Sequence, residues 1–486
     1  MTSLEMIPLL VAGVWEHGET PLEVRDPADG SLAGRTSYAT PEQVERAVAA
    51  ADSVRAEAAA LPLHARAETL MGVSARIAAR TEEIASLITL ESGKPLMWAR
   101  VEANRAASVF RWAAEETRRW SGEVMRLDAD RAAQGRIAYV RRFPKGPVLA
   151  ISPFNFPLNL AAHKVAPAIA VGAPVVLKPA PKTPLSGLVL AEVVREAMAE
   201  QGLPPGMFSV VNVENERASH LVQDPRLPVV SFTGSGPVGH AIAAAVPDKH
   251  VVLELGGNAA VVVCGDYRRP GDLERAADRI AGFATYQAGQ SCISVQRVYA
   301  VDEVYDGLRA ALEKAVAGLA TGDPKDPTTH VGPMIDEAAA RRVEEWVGEA
   351  AAAGGTVVVG GERDGTTYPP TLLEGVPEDA KVMCEEVFGP VLALERVGST
   401  EEAFTRVNAS RFGLQAGVFT HDIATAFRAH RDLEVGGVVV GDVPSYRADQ
   451  MPYGGTKESG VGREGVRYTM TDLTYERVMV LTGLDL

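Results

Sequence analysis

Cys292 is the side chain in this sequence best suited to covalent chemistry. It lies in YQAGQSCISVQRV, where small and polar neighbours leave a thiol accessible and backbone N–H groups can lower its pKa. A lone cysteine in an apolar segment is nevertheless more often a buried small hydrophobic residue. A nucleophilic role needs a base, and Glu254 lies upstream in LELGG. Asn155, in SPFNFP, carries an amide that could donate to a developing oxyanion or simply cap a turn.

A glycine-rich segment offers a second kind of chemistry. GSGPVG, residues 234–239, matches GxGxxG between the expected strand VVSFT and the expected helix VGHAIAAAV. Glycines at such a turn let a pyrophosphate approach the helix N-terminus, where unpaired N–H groups favour an anion. The same pattern also occurs in turns that only join a strand to a helix. By the dinucleotide rule Glu254 would bind ribose hydroxyls, so the residues alone leave it either a ribose ligand or a base.

The elements around these residues predict two α/β units. Thr40 is expected to cap the first helix, and two further helical runs, from His64 and from Arg100 to Arg119, complete a helical layer. After Ala138 short apolar strands alternate with helices, which predicts parallel strands joined by crossovers. A second series of this kind begins near Gly257. Ligands of such a pair bind in the crevice between the units.

The composition excludes several classes of function. The chain has 486 residues and a formal net charge of −15, from 48 basic and 63 acidic side chains. Such a surface repels phosphate backbones and anionic lipids, so neither nucleic acid nor a membrane is expected as a partner. Three cysteines without a CxxC pair predict neither a disulfide framework nor a metal site. Because the first basic residue is Arg25, no export signal is expected, and a cytoplasmic location is predicted.

Seven segments make the sequence similar to the aldehyde dehydrogenase superfamily. They are SPFNFPLNLAAHKVAPAIAVGAPVVLKPAPKTP, SFTGSGPVG, LELGGNAAVVV, AGQSCISVQRV, GDPKDPTTHVGPMI, EEVFGPVL and MPYGGTKESGVGREG, with LESGKP before them. They follow the order of the family and span nearly the whole chain. The loop wording GDVPSYRADQMPYGG is similar to the lactaldehyde and phosphonoacetaldehyde dehydrogenase branch.

The resemblance implies a non-acylating enzyme that oxidises an aldehyde with NAD(P) and no metal. Cys292 would attack the aldehyde as a thiolate, the Asn155 amide would hold the oxyanion, and Glu254 would activate the water that hydrolyses the thioester. On this interpretation Glu254 is a base and not a ribose ligand. Lys178 would bind the adenine ribose and Glu386 the nicotinamide ribose. The residues expected to bind the cofactor are Ser152, Phe154, Lys178, Pro181, Gly234, Ser235, Val238, Leu255, Gly256, Glu386 and Phe388.

One departure from the family pattern bears on the choice of cofactor. NAD-preferring relatives often carry a glutamate three positions after Lys178, where this chain has Pro181 followed by Lys182. Without that carboxylate a 2′-phosphate is not repelled. NAD is therefore expected, with NADP left open.

Other departures bear on the substrate. The tunnel of many relatives is aromatic, whereas this chain has His163 and Arg447, and Arg105 is expected to face the same tunnel. Positive groups there indicate a small polar or anionic aldehyde. The alternative is that Arg447 pairs with Asp449 or Asp442 and only shapes its loop. The residues expected around the substrate are Arg105, Phe156, His163, Ser291, Arg447 and Tyr453.

The resemblance also predicts an α/β architecture of three parts. Residues 1–124 and 146–256 would form a Rossmann-like cofactor-binding domain, residues 257–458 an α/β catalytic thiol domain, and residues 125–145 and 459–486 a small β oligomerisation element. Relatives are dimers or tetramers, so a homodimer or homotetramer is expected.

Other functions stay open at this point. A CoA-acylating semialdehyde dehydrogenase typically lacks the base at Glu254, and a non-catalytic binding or structural protein could retain the fold. A cysteine hydrolase would need a histidine partner, and none of the nine histidines lies in a recognisable motif for one.

Overall fold

A computed structural model describes residues 5–485 and contains two large sheets. Its strands are β1 (Leu9–Val11), β2 (Val14–Glu16), β3 (Thr20–Arg25), β4 (Leu32–Tyr38), β5 (Glu123–Arg126), β6 (Arg136–Pro144), β7 (Val148–Ile151), β8 (Val175–Lys178), β9 (Phe208–Val210), β10 (Val229–Thr233), β11 (His250–Glu254), β12 (Ala260–Val263), β13 (Arg297–Val301), β14 (Thr356–Val359), β15 (Thr371–Glu374), β16 (Val391–Val397), β17 (Phe412–Gly413), β18 (Gln415–Phe419), β19 (Gly437–Val440), β20 (Thr456–Lys457), β21 (Gly460–Val461) and β22 (Thr474–Thr482). Its α-helices are α1 (Pro41–Ser53), α2 (Arg55–Ala60), α3 (Leu63–Ala79), α4 (Thr81–Ser92), α5 (Leu96–Arg118), α6 (Asn159–Val171), α7 (Leu185–Glu200), α8 (Ala218–Gln223), α9 (Gly236–Ala245), α10 (Asp272–Thr285), α11 (Asp302–Ala317), α12 (Glu337–Ala352), α13 (Lys381–Cys384), α14 (Thr400–Asn408), α15 (Ile423–Asp432) and α16 (Val466–Asp472).

The first large sheet has the order β2-β1-β9-β8-β7-β10-β11-β21. Its five central strands are parallel, as predicted, and the short strands at its margins pair antiparallel. The chain order reverses beside β7, because β8 and β9 lie on one side of it and β10 and β11 on the other. Such a switch point opens a crevice beyond the carboxyl ends of the strands. Ser152 follows β7 and Gly234 follows β10, so both lie at this crevice.

The second large sheet has the order β14-β15-β16-β13-β12-β18-β19 and is parallel except for β14. Strand β12 reads AVVV, and its alternate residues join two different hydrophobic clusters. Burial on both faces explains why this strand is continuously apolar. Cys292 lies in the segment that enters β13, and Glu386 in the segment that enters β16. The amino ends of this sheet therefore contribute to the site, whereas the first sheet contributes its carboxyl ends.

The predicted helical layer is present, with differences at its boundaries. Thr40 caps α1 as predicted: its side chain accepts from the Gln43 N–H, and the Gln43 side chain accepts from the Thr40 N–H. The run from His64 is two helices, α3 and α4, because the backbone leaves helical geometry at Arg80. Helix α5 begins earlier than expected, directly after Pro95, since a proline before the first turn removes no helical hydrogen bond.

A three-stranded sheet of β5, β6 and β22 joins two distant segments of the chain. Strand β22 pairs antiparallel with the whole of β6 and is exposed after its first residue, with Val478 at 59% and Met479 at 55% exposure. Helix α16, which precedes β22, instead places Val466 and Met470 in the core of the first large sheet. No helix within residues 5–485 is long and apolar enough to cross a membrane.

Candidate active site

A cavity of about 980 Å³ lies where the carboxyl ends of β7 and β10 meet the segments that enter β13 and β16. Cys292, Glu254 and Asn155, the three residues predicted to be catalytic, all line it. The residues predicted to bind the cofactor also line it, namely Ser152, Phe154, Lys178, Pro181, Gly234, Ser235, Val238, Leu255, Gly256, Glu386 and Phe388. The fold thus brings both predicted sets to one place.

The wall of this cavity fits a dinucleotide. Ser152 Oγ and Thr233 Oγ1 are buried there and have no hydrogen-bond partner among the described residues, so they are available to a polar ligand. Ser235 is the N-cap of α9, and a Cβ added at Gly236 would meet nothing within 4 Å. The unpaired N–H groups at the start of this helix therefore have open space beside them, which suits a pyrophosphate.

Two charged residues are held against the cavity, Lys178 buried and Glu386 half-buried. Lys178 Nζ donates to Asn215 Oδ1 at 3.1 Å, and burial lowers the pKa of Lys178 to about 8. Glu386 Oε1 accepts from the Gly257 N–H at 3.1 Å, and burial raises the pKa of Glu386 to about 7. A Cβ at Gly256 would collide with the Glu386 carboxylate, so glycine is required for this approach. Both side chains retain hydrogen-bonding capacity for ribose hydroxyls.

Cys292 is half-buried, and its Sγ lies 2.9 Å from Tyr453 Oη. Burial raises the pKa of the Cys292 thiol to about 11, although the hydrogen bond with Tyr453 lowers it. Glu386 and Glu254 raise this pKa further, whereas Arg447 lowers it. The thiol therefore needs a base, or further stabilisation of its thiolate, to react near neutral pH.

Glu254 ends β11 and is buried. Neither of its carboxylate oxygens has a hydrogen-bond partner in the described part of the chain. Burial, followed by the charge of Glu464, raises the pKa of Glu254 well above its ordinary value, while Arg447 and Lys164 oppose this rise. A carboxyl group with a raised pKa and free oxygens beside a cavity is typical of a general base.

A strained turn ties Asn155 to the Cys292 segment. Asn155 Nδ2 donates to the Gln290 carbonyl at 3.0 Å, and Gln287 Nε2 donates to the Asn155 carbonyl. Gln287 and Ala288 have φ values of 55° and 54°, a left-handed backbone that residues other than glycine rarely adopt. The turn thereby fixes the Asn155 amide relative to Cys292.

The six residues predicted to contact the substrate do not line this cavity. The Arg447 side chain is only 5% exposed, its guanidinium carbon lies 3.8 Å from the Tyr453 ring centroid, and its Nη2 donates to Glu464 Oε2 at 2.9 Å. Its Nε has no hydrogen-bond partner within residues 5–485. Arg447 is therefore ion-paired, but with Glu464 rather than with Asp449 or Asp442, the partners considered from the sequence.

Arg105 and His163 meet at one carboxylate oxygen. Arg105 Nη2 donates to Asp449 Oδ1 at 2.7 Å, and His163 Nε2 lies 3.0 Å from the same oxygen. Lys164, the neighbour of His163, lies 3.4 Å from Glu464 Oε1. We call the set formed by Arg105, His163, Lys164, Arg447, Asp449 and Glu464 the charged cluster.

Phe156 and Ser291 both contact Tyr286. The rings of Phe156 and Tyr286 have centroids 6.4 Å apart, and the Tyr286 hydroxyl donates to Ser291 Oγ. Lys94 Nζ lies 4.0 Å from the Phe156 ring centroid, and Lys94 pairs with Glu102 in full burial. These two predicted residues thus belong to an aromatic wall.

Several residues of the site escape prediction from the sequence. Lys164 and Glu464 lie inside motifs that carry the family resemblance, and a lysine within the apolar run NLAAHKVAPAIAV was a signal of a buried ion pair. Gln287 gave no signal, because its role depends on a backbone conformation. Asn215 and Arg342 line the cavity from segments of ordinary polar composition.

Comparison with known proteins gives one consistent result. The model of the aldehyde dehydrogenase family matches residues 15–479. The chain is 40% identical over 482 residues to a 3-sulfolactaldehyde dehydrogenase of Priestia megaterium, covering 99% of each protein.

Solved structures agree with that match. The crystal structure of aldehyde dehydrogenase 21 from Physcomitrella patens, in complex with the reaction product succinate, superposes with a TM-score of 0.96 at 42% identity, covering 99% of each chain. An NADP-dependent glyceraldehyde-3-phosphate dehydrogenase from Bacillus halodurans, complexed with NADP, superposes with a TM-score of 0.93 at 35% identity, covering 98% of this chain and 99% of that one. The chain therefore belongs to the aldehyde dehydrogenase family and is an NAD(P)-dependent enzyme of that family.

Proposed function

We propose that this enzyme oxidises a small anionic or strongly polar aldehyde to its carboxylic acid through a covalent adduct on Cys292. The observation that carries the proposal is that Cys292, Glu254 and Asn155 line one cavity, with both Glu254 oxygens free of other partners in the described chain. A thiol, a base and an amide donor are the three groups that this reaction needs.

The first step forms the bond between Cys292 and the substrate. Cys292 ionises with its proton passing to solvent water, and the Sγ electron pair of the thiolate forms a bond to the aldehyde carbon while the C=O π pair moves to oxygen. Asn155 Nδ2 and the Cys292 N–H donate to the resulting oxyanion. The contacts of Gln287 and Gln290 hold the Asn155 amide in place for this task.

The cofactor residues belong to the wall described above. Bound NAD(P)⁺ supplies the hydride acceptor for the oxidation. Lys178 and Glu386 hold its two riboses, and the start of α9 at Ser235 holds its pyrophosphate. Phe388, whose ring contacts Phe154 edge-on with centroids 5.8 Å apart, supports the nicotinamide end.

The last step releases the acid from a thioester on Cys292. Glu254 takes a proton from water, the water oxygen attacks the thioester carbon, and the C–S bond breaks with its electron pair returning to Sγ. The raised pKa of Glu254 suits this work near neutral pH, with activity rising as pH rises through that pKa. A free base beside Cys292 favours hydrolysis over transfer of the acyl group to CoA.

The charged cluster supports an anionic substrate, because one of its cations has an unused donor. The cluster pairs the basic side chains Arg105 and Arg447 with the carboxylates Asp449 and Glu464. Arg447 Nε nevertheless has no hydrogen-bond partner within residues 5–485. A buried guanidinium donor without a partner favours an anionic group beside it. The relative named for 3-sulfolactaldehyde and the Physcomitrella enzyme with bound succinate both handle anionic compounds, which supports the same class.

A panel of aldehydes matched in length tests this proposal. One member of each pair carries a carboxylate or sulfonate and the other is neutral, and each is assayed with NAD⁺ and NADP⁺ by the absorbance of the reduced cofactor. We expect kcat/KM to favour the anion at least about tenfold, the size of one charge-assisted contact. Because Pro181 leaves no acid to repel a 2′-phosphate, NADP⁺ should also be accepted. Equal values within pairs would contradict the substrate class, and no reduction with any aldehyde would contradict the activity.

We also propose that the chain forms a homo-oligomer through the sheet of β5, β6 and β22. The free edge of β22 and its exposed apolar residues favour pairing with a second copy. This surface would be the oligomerisation element, beside a cofactor domain (residues 1–124 and 146–256) and a catalytic domain (residues 257–458). Light scattering of the purified protein should give a dimer or tetramer mass, and a monomer would contradict the proposal.

A further inference from the structure

We propose that Tyr453 is a catalytic residue whose hydroxyl donates a hydrogen bond to the Cys292 sulfur and stabilises its thiolate. The motif MPYGGTKESG predicts no more for Tyr453 than a contact with the substrate. This inference rests on the proposed role of Cys292 as the nucleophile, and it adds a group that makes that sulfur reactive.

Packing and backbone contacts fix the position of the hydroxyl. Tyr453 Oη lies 2.9 Å from Cys292 Sγ. The ring packs with Ile293 and Leu414 in a small buried cluster that Cys292 also contacts. The Tyr453 N–H donates to the Glu464 carbonyl at 2.9 Å, and the Glu464 N–H donates to the Tyr453 carbonyl at 2.6 Å. The donor is therefore in place before the substrate arrives.

Arg447 makes this hydroxyl a stronger donor. Its guanidinium carbon lies 3.8 Å from the Tyr453 ring centroid, and its ion pair with Glu464 holds it there. A cation over a phenol ring stabilises negative charge that develops on the phenol oxygen, which strengthens donation by the O–H group. Burial raises the pKa of Tyr453 well above its ordinary value, so the hydroxyl keeps its proton. Once Cys292 is ionised, donation runs from Oη to Sγ.

The charges that face Cys292 act in opposite directions. Burial disfavours the thiolate most, and Glu386 and Glu254 add to this effect. The Tyr453 hydrogen bond and the charge of Arg447 favour the thiolate, and the hydrogen bond has the larger influence of the two. Removing the hydroxyl therefore removes the main group that offsets burial.

The Tyr453 hydroxyl acts both when Cys292 attacks the aldehyde and when the acid is released from the thioester. During the attack the Sγ electron pair goes into the new S–C bond, and the Tyr453 hydrogen bond weakens. When the hydrolysis intermediate collapses, the C–S bond breaks, the electron pair returns to Sγ, and Tyr453 donates to the developing thiolate. A stabilised thiolate is a weaker nucleophile, but its larger population more than compensates while the thiol pKa lies above the ambient pH.

The test is the alkylation of Cys292 by iodoacetamide in Tyr453→Phe, followed over a series of brief pH jumps. This variant keeps the ring and its contact with Arg447 and removes only the hydroxyl. We expect the midpoint of the pH dependence to rise by about one unit, equivalent to a tenfold change in the ionisation constant. Below the midpoint the alkylation rate should fall about threefold, because a tenfold smaller thiolate population outweighs the greater nucleophilicity of a more basic thiolate. A merely structural change would alter the rate without moving the midpoint.

Tyr286→Phe is the matched control. Tyr286 is also buried beside this segment, but its hydroxyl donates to Ser291 Oγ and not to the Cys292 sulfur. The pH midpoint of Cys292 alkylation in Tyr286→Phe should therefore stay at the wild-type value. An unchanged or lowered midpoint in Tyr453→Phe, or the same shift in both variants, would overturn the assignment of Tyr453.

A second variant keeps the test decisive if Tyr453→Phe does not fold. Site-specific 3-fluorotyrosine at position 453 retains the ring and hydroxyl but makes the hydroxyl a stronger donor, so the midpoint should fall, and an unmoved midpoint would overturn the proposal. The proposed function and the role of Tyr453 are refuted by different results. Wild-type enzyme that keeps its dehydrogenase activity after Cys292 is alkylated would refute the proposed function, whereas normal inactivation with unmoved midpoints would refute only the role of Tyr453.

Discussion

The two sides of Cys292 are built in opposite ways. On the cofactor side several buried polar atoms have no partner within the described chain, among them Ser152 Oγ and both oxygens of Glu254. On the substrate side most of the charged groups are held in ion pairs, as Arg447 is with Glu464. Unpartnered groups lower stability but are available to ligands and reacting atoms, whereas paired groups hold one arrangement and contribute a fixed electric field.

This difference predicts two kinds of variant. A change on the cofactor side or at the sulfur should remove activity with little effect on folding, because few protein contacts are lost there. A change in the charged cluster should affect folding as well, because it leaves a buried charge without its partner.

The largest expected effect is that of Cys292→Ala. The variant should lose aldehyde oxidation by at least about a thousandfold, because every covalent step uses this sulfur. It should still bind cofactor and unfold at the wild-type temperature. Cys384→Ala, at an exposed cysteine, serves as the control and should leave the rate unchanged. Substantial turnover by Cys292→Ala would rule out the thiohemiacetal mechanism.

The next effect is a loss of stability in Glu464→Gln. Burial raises the pKa of Glu464, but the charges of Lys164 and Arg447 more than offset this and hold the pKa at about 2. Removing the charge leaves both cations short of a partner, and we expect the free energy of unfolding to fall by about 3–5 kcal/mol. Thr233→Val, on the cofactor side, should change it by less than about 1 kcal/mol, since its hydroxyl has no partner among residues 5–485.

The pH dependence of that loss checks its cause. A carboxyl group whose pKa is depressed in the folded state contributes stability above its unfolded pKa and loses it as the pH falls toward its folded value. The deficit of Glu464→Gln, measured by denaturant unfolding, should therefore be full at neutral pH and shrink as the pH falls from about 4.5 toward about 2. A loss of unfolding free energy that does not depend on pH would mean that the substitution disturbs packing and does not act through the lost ion pairs.

The smallest expected effect concerns selectivity. Arg105 is the most exposed cation of the charged cluster, with a side chain 25% exposed. Arg105→Gln should raise KM for the anionic aldehyde about tenfold and leave a neutral aldehyde of equal length nearly unchanged. Arg100→Gln, at a surface pair on the same helix, is the matched control and should change neither value. Equal losses on both aldehydes would show that Arg105 only supports the loop at Asp449.

The same difference between the two sides explains which parts of the structure could be predicted from the sequence. The fold class and the cofactor wall could be predicted, because residues such as Ser152 and Gly234 follow strands directly and parallel strands end at one edge of a sheet. The sequence also places Arg105, His163 and Arg447 in one tunnel, but the ion pairs of the charged cluster could not be predicted. His163 and Arg447 stand in the sequence 284 positions apart, and their partners depend on how the two α/β units meet. The roles of the site residues stay predictions until they are measured.

The central claim is that oxidation passes through a thioester on Cys292 that Glu254 hydrolyses. Its most direct test is Glu254→Gln mixed with saturating aldehyde and NAD(P)⁺, then quenched for reduced cofactor and for the mass of the peptide that contains Cys292. We predict a burst of about one reduced cofactor per active site, then turnover slower by about a hundredfold or more, with the acyl mass on Cys292. No burst, an unmodified Cys292 and weakened cofactor binding would contradict the account and make Glu254 a ribose ligand.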